Sequence, residues 1–172
     1  MIYCALGMAE RIGGLHPGQQ YAIVDLTPEC QHEAWEHYAV HEAGHAVAVT
    51  HLPSFTLSQV LMLSGNYQTT FACRGGEGSF AFGQCANRHP KEGLVQAVAG
   101  PLAEYAVLNC GSRSNVRRHI ATWQEHSGKD YHSQPRRLAD LYVQVREWKE
   151  EIVDVASRLE RLDYYSPGMI GL

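Results

Sequence analysis

The sequence has no long uninterrupted hydrophobic run and no strong excess of one charge. Its 172 residues carry 14 basic and 18 acidic side chains, a formal net charge of −4 with histidine neutral. A weakly acidic chain does not provide the broad positive field on which most nucleic-acid-binding proteins depend. The longest apolar stretch, residues 94–108, contains Gln96, Pro101 and Glu104 and is shorter than the roughly 18 residues of a membrane-spanning helix. We therefore predict no nucleic-acid partner and no membrane span.

The cysteines lack a recognisable pairing pattern, with five residues at positions 4, 30, 73, 85 and 110. Their number is odd and no two have C-x-x-C spacing, so the pattern indicates neither a disulfide framework nor a cysteine zinc knuckle. We expect free thiols or small apolar side chains. The first twenty residues contain Glu10, Arg11 and turn-forming residues where a secretory signal needs an apolar run. The expected location is cytoplasmic.

The composition is typical of one folded domain. Hydrophobic residues make up 45% of the chain and charged residues 19%, unlike the composition of a disordered protein. We interpret residues 1–172 as a single domain in which residues 1–27, with glycine and proline turn signals, form a loosely structured lead-in.

Four segments predict regular secondary structure. Thr27-Pro28-Glu29 is a typical helix start, and that helix should end near Thr50, before Leu52-Pro53. Residues 57–72 predict a β-hairpin turning at Ser-Gly-Asn and followed by a glycine-rich loop. A second helix should begin at Pro90, be broken or kinked at Gly100-Pro101, continue to Leu108 and stop at Gly111. After a polar stretch, 112–134, a long helix should follow Pro135 and end near Leu162. The fold class is mainly α (α+β), with a small hairpin.

The first predicted helix contains His41-Glu42-Ala43-Gly44-His45, an H-E-x-x-H pattern. Residues four apart share a helix face, so His41 and His45 can bind one zinc ion together. Glu42 beside them can take a proton from zinc-bound water and pass it to the leaving amine, as a general base. We expect the remaining histidines of this region to flank the site: His32, His37 and His51.

Two stretches resemble a known family. His41-Glu-Ala-Gly-His-Ala-Val-Ala48 resembles the metal-binding helix of the FtsH family of membrane-anchored, ATP-dependent zinc proteases, the M41 peptidases. Ala99-Gly-Pro-Leu-Ala-Glu-Tyr105 resembles that family's Gly-Gly-Arg-x-Ala-Glu-Glu helix, with Pro101 and Tyr105 in place of the arginine and the second glutamate. The resemblance implies a helical zincin-type peptidase domain whose hairpin provides an edge strand for substrate. No Walker sequence of the family's ATPase module is found in these residues.

The resemblance also implies a third zinc ligand, an aspartate that follows a glycine. Ser127-Gly128-Lys129-Asp130 is the best counterpart, and three protein ligands would leave the fourth zinc position to water. The interval from Glu104 to Asp130 is longer than in the family, which implies an insertion near residues 111–126. Alternative third ligands are Glu104, His119, His126 and His132.

Glu104 has a second candidate role. A carboxylate buried in an apolar helix is costly unless paired, and accepting the free N–H of a ligating histidine would satisfy it and fix the ring.

A basic cluster formed by Arg113, Arg117, Arg118 and His119 lacks interleaved aromatic residues, so we interpret it as solvated surface.

Two functions fit these features. The first is a zinc-dependent metallopeptidase that cleaves peptides or unfolded protein segments, with zinc as its cofactor and Glu42 as its base. The second is a non-catalytic, zinc-containing binding or regulatory module on a peptidase scaffold. Glu42 separates them, because only the first function requires its carboxylate. Members of the FtsH family form rings, so self-association is compatible with either.

Overall fold

The computed structural model describes residues 30–63, 66–73, 82–162 and 164–165. Its helices are α1 (Ala34–His51), α2 (Phe82–Arg88), α3 (Pro90–Leu108), α4 (Arg113–Ser127), α5 (Leu138–Glu147) and α6 (Lys149–Leu162), with a short 3-10 helix at Tyr131–Ser133. Its strands are β1 (Phe55–Leu63), β2 (Asn66–Cys73) and β3 (Tyr164–Tyr165). The described chain is mainly helical with a small antiparallel sheet, which confirms the predicted class. The lead-in and the glycine-rich loop lie outside the described residues.

Helices α1 and α3 form the centre of the fold, and both are buried along most of their length. They approach closely because small residues line the crossing. A Cβ atom added to Gly44 of α1 would lie 2.6 Å from the Ala103 Cβ and 2.7 Å from the Ala99 carbonyl oxygen of α3. Helix α6 packs on α1, and α4 and α5 pack on α3. The H-E-x-x-H segment is therefore enclosed by other elements.

The sheet has the strand order β2-β1-β3, with antiparallel pairing on both sides of β1. The β1–β2 hairpin is the predicted one, with Leu57 opposite Phe71 and Val60 opposite Thr69. Strand β2 is the outermost strand of the described sheet on the side away from β3. It lies against α1, where the Thr69 hydroxyl donates to the Glu42 backbone oxygen over 3.0 Å.

Two helix boundaries differ from the sequence predictions. Helix α1 begins after Glu33, whose backbone N–H donates to the Glu36 carboxylate over 2.7 Å; the predicted start at 27–29 lies outside the described residues. Helix α3 continues past Pro101 without a break, and its last residue is Leu108; Asn109 after it adopts a left-handed conformation with φ 57°. Asparagine tolerates that conformation, so the helix ends before Gly111.

The long helix predicted after Pro135 is two helices, α5 and α6. They are separated at Trp148, where ψ is 9° and the indole ring stacks on His51 with centroids 4.8 Å apart. Hydrophobic periodicity continues across this break, because both helices bury their apolar faces in the same core. Helix α2 and the two-residue strand β3 were not predicted from the sequence.

The prediction of free thiols is wrong for four of the five cysteines. Disulfides join Cys30 to Cys110 and Cys73 to Cys85, while Cys4 lies outside the described residues. Disulfides are typical of oxidising compartments. The cysteines therefore do not support the predicted cytoplasmic location.

None of the described helices combines the length and the apolar character that crossing a membrane would require.

The close α1–α3 crossing predicts that Gly44→Ala destabilises the protein. Alanine should gain roughly 1 kcal/mol in helix propensity, but its methyl group would overlap Ala103 and the Ala99 carbonyl, and overpacking costs about 1–3 kcal/mol. We expect a net loss in the free energy of unfolding, measured by urea denaturation of metal-free protein. A more stable variant would contradict this account of the crossing.

Candidate metal centre

Three imidazole rings meet beside the crossing of α1 and α3. His41 and His45 come from successive turns of α1, and His119 comes from α4. One ring nitrogen of each lies within 4.8 Å of the others. The His41 and His45 ring centroids are 4.7 Å apart, and that of His119 lies 5.0 Å from the first and 5.3 Å from the second. The group is thus positioned to bind a metal ion.

Each of the three rings is held by an acceptor at Nδ1. His41 Nδ1 donates to the Glu104 carboxylate over 2.7 Å, while His45 Nδ1 donates to the Gln96 backbone oxygen and His119 Nδ1 to the Asn115 backbone oxygen, each over 2.8 Å. Because Nδ1 carries the proton in each neutral ring, Nε2 keeps its lone pair. This is the arrangement in which metal-ligating histidines are usually held.

The closest approach within the group is between two such nitrogen atoms. His41 Nε2 and His45 Nε2 are 3.1 Å apart. Two unprotonated nitrogens at this distance repel each other unless a proton or a cation lies between them. The donor set and this spacing therefore fit a bound metal ion.

Lowered pKa values favour the neutral, metal-binding form of two of the rings, those of His45 and His119. Burial lowers the pKa of His45 well below its usual value, and the neighbouring His41 and His119 lower it further. Burial, together with His41, lowers the pKa of His119 to about 3. Metal ions bind unprotonated imidazole, so these histidines need not lose a proton at neutral pH.

Glu42 lies next to this group and is only 8% exposed. Its Oε2 accepts a hydrogen bond from the Thr69 hydroxyl over 2.6 Å, which orients the carboxylate. The three histidines, Glu42 and Thr69 line one cavity of about 350 Å³, which Phe71, Gln96, Ala97, Arg118 and Thr122 complete. A carboxylate and three imidazoles therefore face the same space.

Asp130 is not part of this group. Its carboxylate is exposed and accepts from the backbone N–H of His132 over 3.1 Å, capping the short helix at Tyr131–Ser133. The position expected for Asp130 is taken by His119, one of the alternative ligands. Neither His126 nor His132 joins the group.

The long interval between Glu104 and Asp130 accounts for the difference. Residues 113–127 form helix α4, which begins at Ser112, whose side chain accepts from the Asn115 backbone N–H over 3.1 Å. This helix brings His119 to the candidate metal centre, so His119 is not the solvated surface residue that the sequence suggested. Its Nδ1 partner is the backbone oxygen of Asn115, which any residue type at that position would provide, so no local sequence signal identified His119.

A second group of potential ligands was also missed. Cys30, His37 and Cys110 each place one ligand atom within 4.8 Å of the others. His37 was expected only to flank the zinc site. The two cysteines are 80 positions apart in the sequence, so no rule based on the spacing of ligands along the chain could have predicted this group.

Comparisons with protein-family models, with curated proteins and with solved structures found no match to this chain.

The geometry predicts that His119→Ala weakens metal binding far more than Asp130→Ala. Loss of a ligand should exceed the roughly 10–100-fold effect of removing a ligand's hydrogen-bond partner, whereas Asp130 caps an exposed turn. Competition with a chromophoric chelator would measure both dissociation constants. The reverse order would return the ligand role to Asp130.

The lowered pKa values predict that the metal-free protein loses stability in mild acid. The unfolded chain takes up protons at histidine near pH 6.5, whereas folded His119 does so only near pH 3. This contribution to stability is complete above pH 6.5 and is lost progressively as the pH falls towards 3. Urea midpoints of chelator-treated protein between pH 7 and pH 4 would measure the loss. A His119→Gln variant should show a shallower fall, and equal slopes would contradict the assignment.

Proposed function

We propose that this chain is a zinc-dependent metallopeptidase of the FtsH-like, zincin type, which hydrolyses bonds in peptides or unfolded protein segments. One observation carries the proposal. Three imidazoles converge within 4.8 Å, and the Glu42 carboxylate of the same H-E-x-x-H segment lines the same cavity. A metal site and a candidate base are thus available to one substrate bond.

The donor set supports zinc as the metal. Two nitrogens bound to one tetrahedral zinc ion, at roughly 2.0–2.1 Å each, lie about 3.3–3.4 Å apart, close to the 3.1 Å between His41 Nε2 and His45 Nε2. With His119, the protein would supply three ligands and leave a fourth position open, as catalytic zinc sites do. A zinc ion held there would act as a Lewis acid towards water and a peptide carbonyl.

Glu42 would serve as the general base and then as the general acid. Its carboxylate is oriented by Thr69 over 2.6 Å and faces the cavity in which a water molecule and the scissile bond would meet. From there it can take a proton from water and return it to the leaving amine. Glu104, Gln96 and Asn115 would hold the three imidazoles in their ligating orientation.

Strand β2 offers a way to position the substrate. It is the outermost described strand on its side of the sheet, and its Thr69 and Phe71 line the cavity. An extended peptide can add to such an edge through backbone hydrogen bonds. Binding in this mode requires an extended chain, which favours peptides and unfolded segments over folded proteins.

The proposal predicts that Glu42→Gln abolishes hydrolysis while keeping the metal and the fold. The amide preserves the shape of the side chain but cannot accept the proton, and loss of general-base catalysis typically costs about 10²–10⁴ in rate. Cleavage of an unstructured peptide mixture, followed by mass spectrometry, would measure activity. Zinc content and circular dichroism would confirm that the variant is intact.

Glu125→Gln is the matched control, because Glu125 is exposed on α4 and its change removes the same charge. It should cleave like the unaltered protein. A zinc-loaded Glu42→Gln variant with full activity would rule out the proposed base. A zinc-loaded unaltered protein that cleaves no peptide would favour the binding or regulatory module.

A further inference from the structure

The second ligand group lies where the segment before α1 meets the end of α3. Its centre is His37, whose Nε2 is 3.1 Å from Cys30 Sγ and 3.8 Å from Cys110 Sγ. His37 and Cys110 are buried, with exposed fractions of 7% and 3%. The two sulfurs form a disulfide, so they act as one unit in the oxidised protein.

The orientation of His37 matches that of a metal ligand. Its Nδ1 donates to Glu104 Oε2 over 2.8 Å, and the other oxygen of the same carboxylate accepts from His41 Nδ1. The proton is therefore on Nδ1, and the Nε2 lone pair points towards the sulfurs. A carboxylate behind the imidazole is the usual support of a histidine that binds metal.

We propose that reduction of the Cys30–Cys110 disulfide turns this group into a second metal site, which binds zinc through two thiolates and His37 Nε2. Thiolate and imidazole together favour zinc over magnesium, calcium or manganese. Water would complete the tetrahedral set. The other disulfide, Cys73–Cys85, belongs to no such group among the described residues.

The chemistry balances with a dithiol or a phosphine as the reductant. A phosphine gives two electrons to the disulfide and takes an oxygen atom from water to become the phosphine oxide, while the two protons of that water go to the cysteine thiols. A dithiol breaks the Cys30–Cys110 bond by exchange, becomes a disulfide itself, and leaves two cysteine thiols with its two electrons and two protons. Zinc then binds the two sulfurs as thiolates and releases those two protons to solvent.

Replacing the disulfide with zinc would keep Cys30 and Cys110 connected in both the oxidised and the reduced protein. The disulfide joins residues 80 positions apart, before α1 and after α3, and zinc would join the same two residues through the reduced sulfurs. Glu104 contacts His37 of this site and His41 of the first centre. The carboxylate that orients one ligand of the first centre would therefore be held in place under reducing conditions as well.

Metal counting on the full chain tests the proposal. Protein would be treated with a metal-free phosphine reductant or left untreated, loaded with zinc, desalted without oxygen and analysed by plasma mass spectrometry. We expect about one additional zinc ion per chain after reduction. Cobalt in place of zinc should give thiolate-to-metal charge-transfer absorption in the reduced protein only.

Four variants locate the added ion. His37→Gln keeps both thiols but should lose the additional equivalent, as should the double variant Cys30→Ser with Cys110→Ser. The double variant Cys73→Ser with Cys85→Ser is the matched control and should still gain it. His45→Ala should lose the first centre yet gain an ion on reduction, which separates this proposal from the proposed peptidase function.

Four results would overturn the second site. The first two are the absence of an additional zinc ion in the reduced protein and an additional ion that is still bound by His37→Gln. The third is an additional ion that is lost in the double variant Cys73→Ser with Cys85→Ser. The fourth is a loss of the helical circular dichroism signal of the reduced protein that added zinc does not restore.

Discussion

The rest of this structure depends on the hydrogen bonds that His37 and His41 donate to the buried Glu104 carboxylate. It is only 4% exposed, and burial by itself would raise its pKa. Hydrogen bonds from His37 and His41 nevertheless hold the pKa of Glu104 below its usual value, so the group stays ionised. Each oxygen then fixes one imidazole over less than 3 Å. One charge on α3 orients ligands in both candidate metal sites on α1.

The close packing of α1 against α3 makes this contact possible. Gly44 lets the helix backbones approach, and Gly100 provides space for the ligands: a Cβ there would run into the His45 ring and lie 2.9 Å from His41 Cδ2. Glycines on both helices of this crossing thus serve the geometry of the candidate metal centre as much as the stability of the packing. Larger side chains at either glycine would move the imidazoles away from the groups that hold them.

The sequence predicts those parts of the site that depend on local spacing. His41, Glu42 and His45 are brought together by one helical turn, and the expected role of Glu104 follows from the cost of burying an unpaired carboxylate. His119 could not be chosen over Asp130 by the same reasoning, because the path of residues 111–126 depends on long-range packing.

The cysteines and the helix ends show the same difference between features set by local sequence, which were predicted, and features set by long-range contacts, which were not. Cys30 and Cys110 are 80 residues apart, and no spacing rule relates such positions. The hairpin was predicted because its alternation and its turn are local. The separation of α5 from α6 was not, since the position of Trp148 is determined by contact with His51 of another helix.

The most direct test of the central claim is the metal content of untagged, unreduced protein, measured by plasma mass spectrometry beside its His45→Ala variant. The three-histidine centre predicts about one zinc ion per chain in the unaltered protein and almost none in the variant. A protein without metal that added zinc cannot load, or a variant that keeps its full complement, would contradict the account.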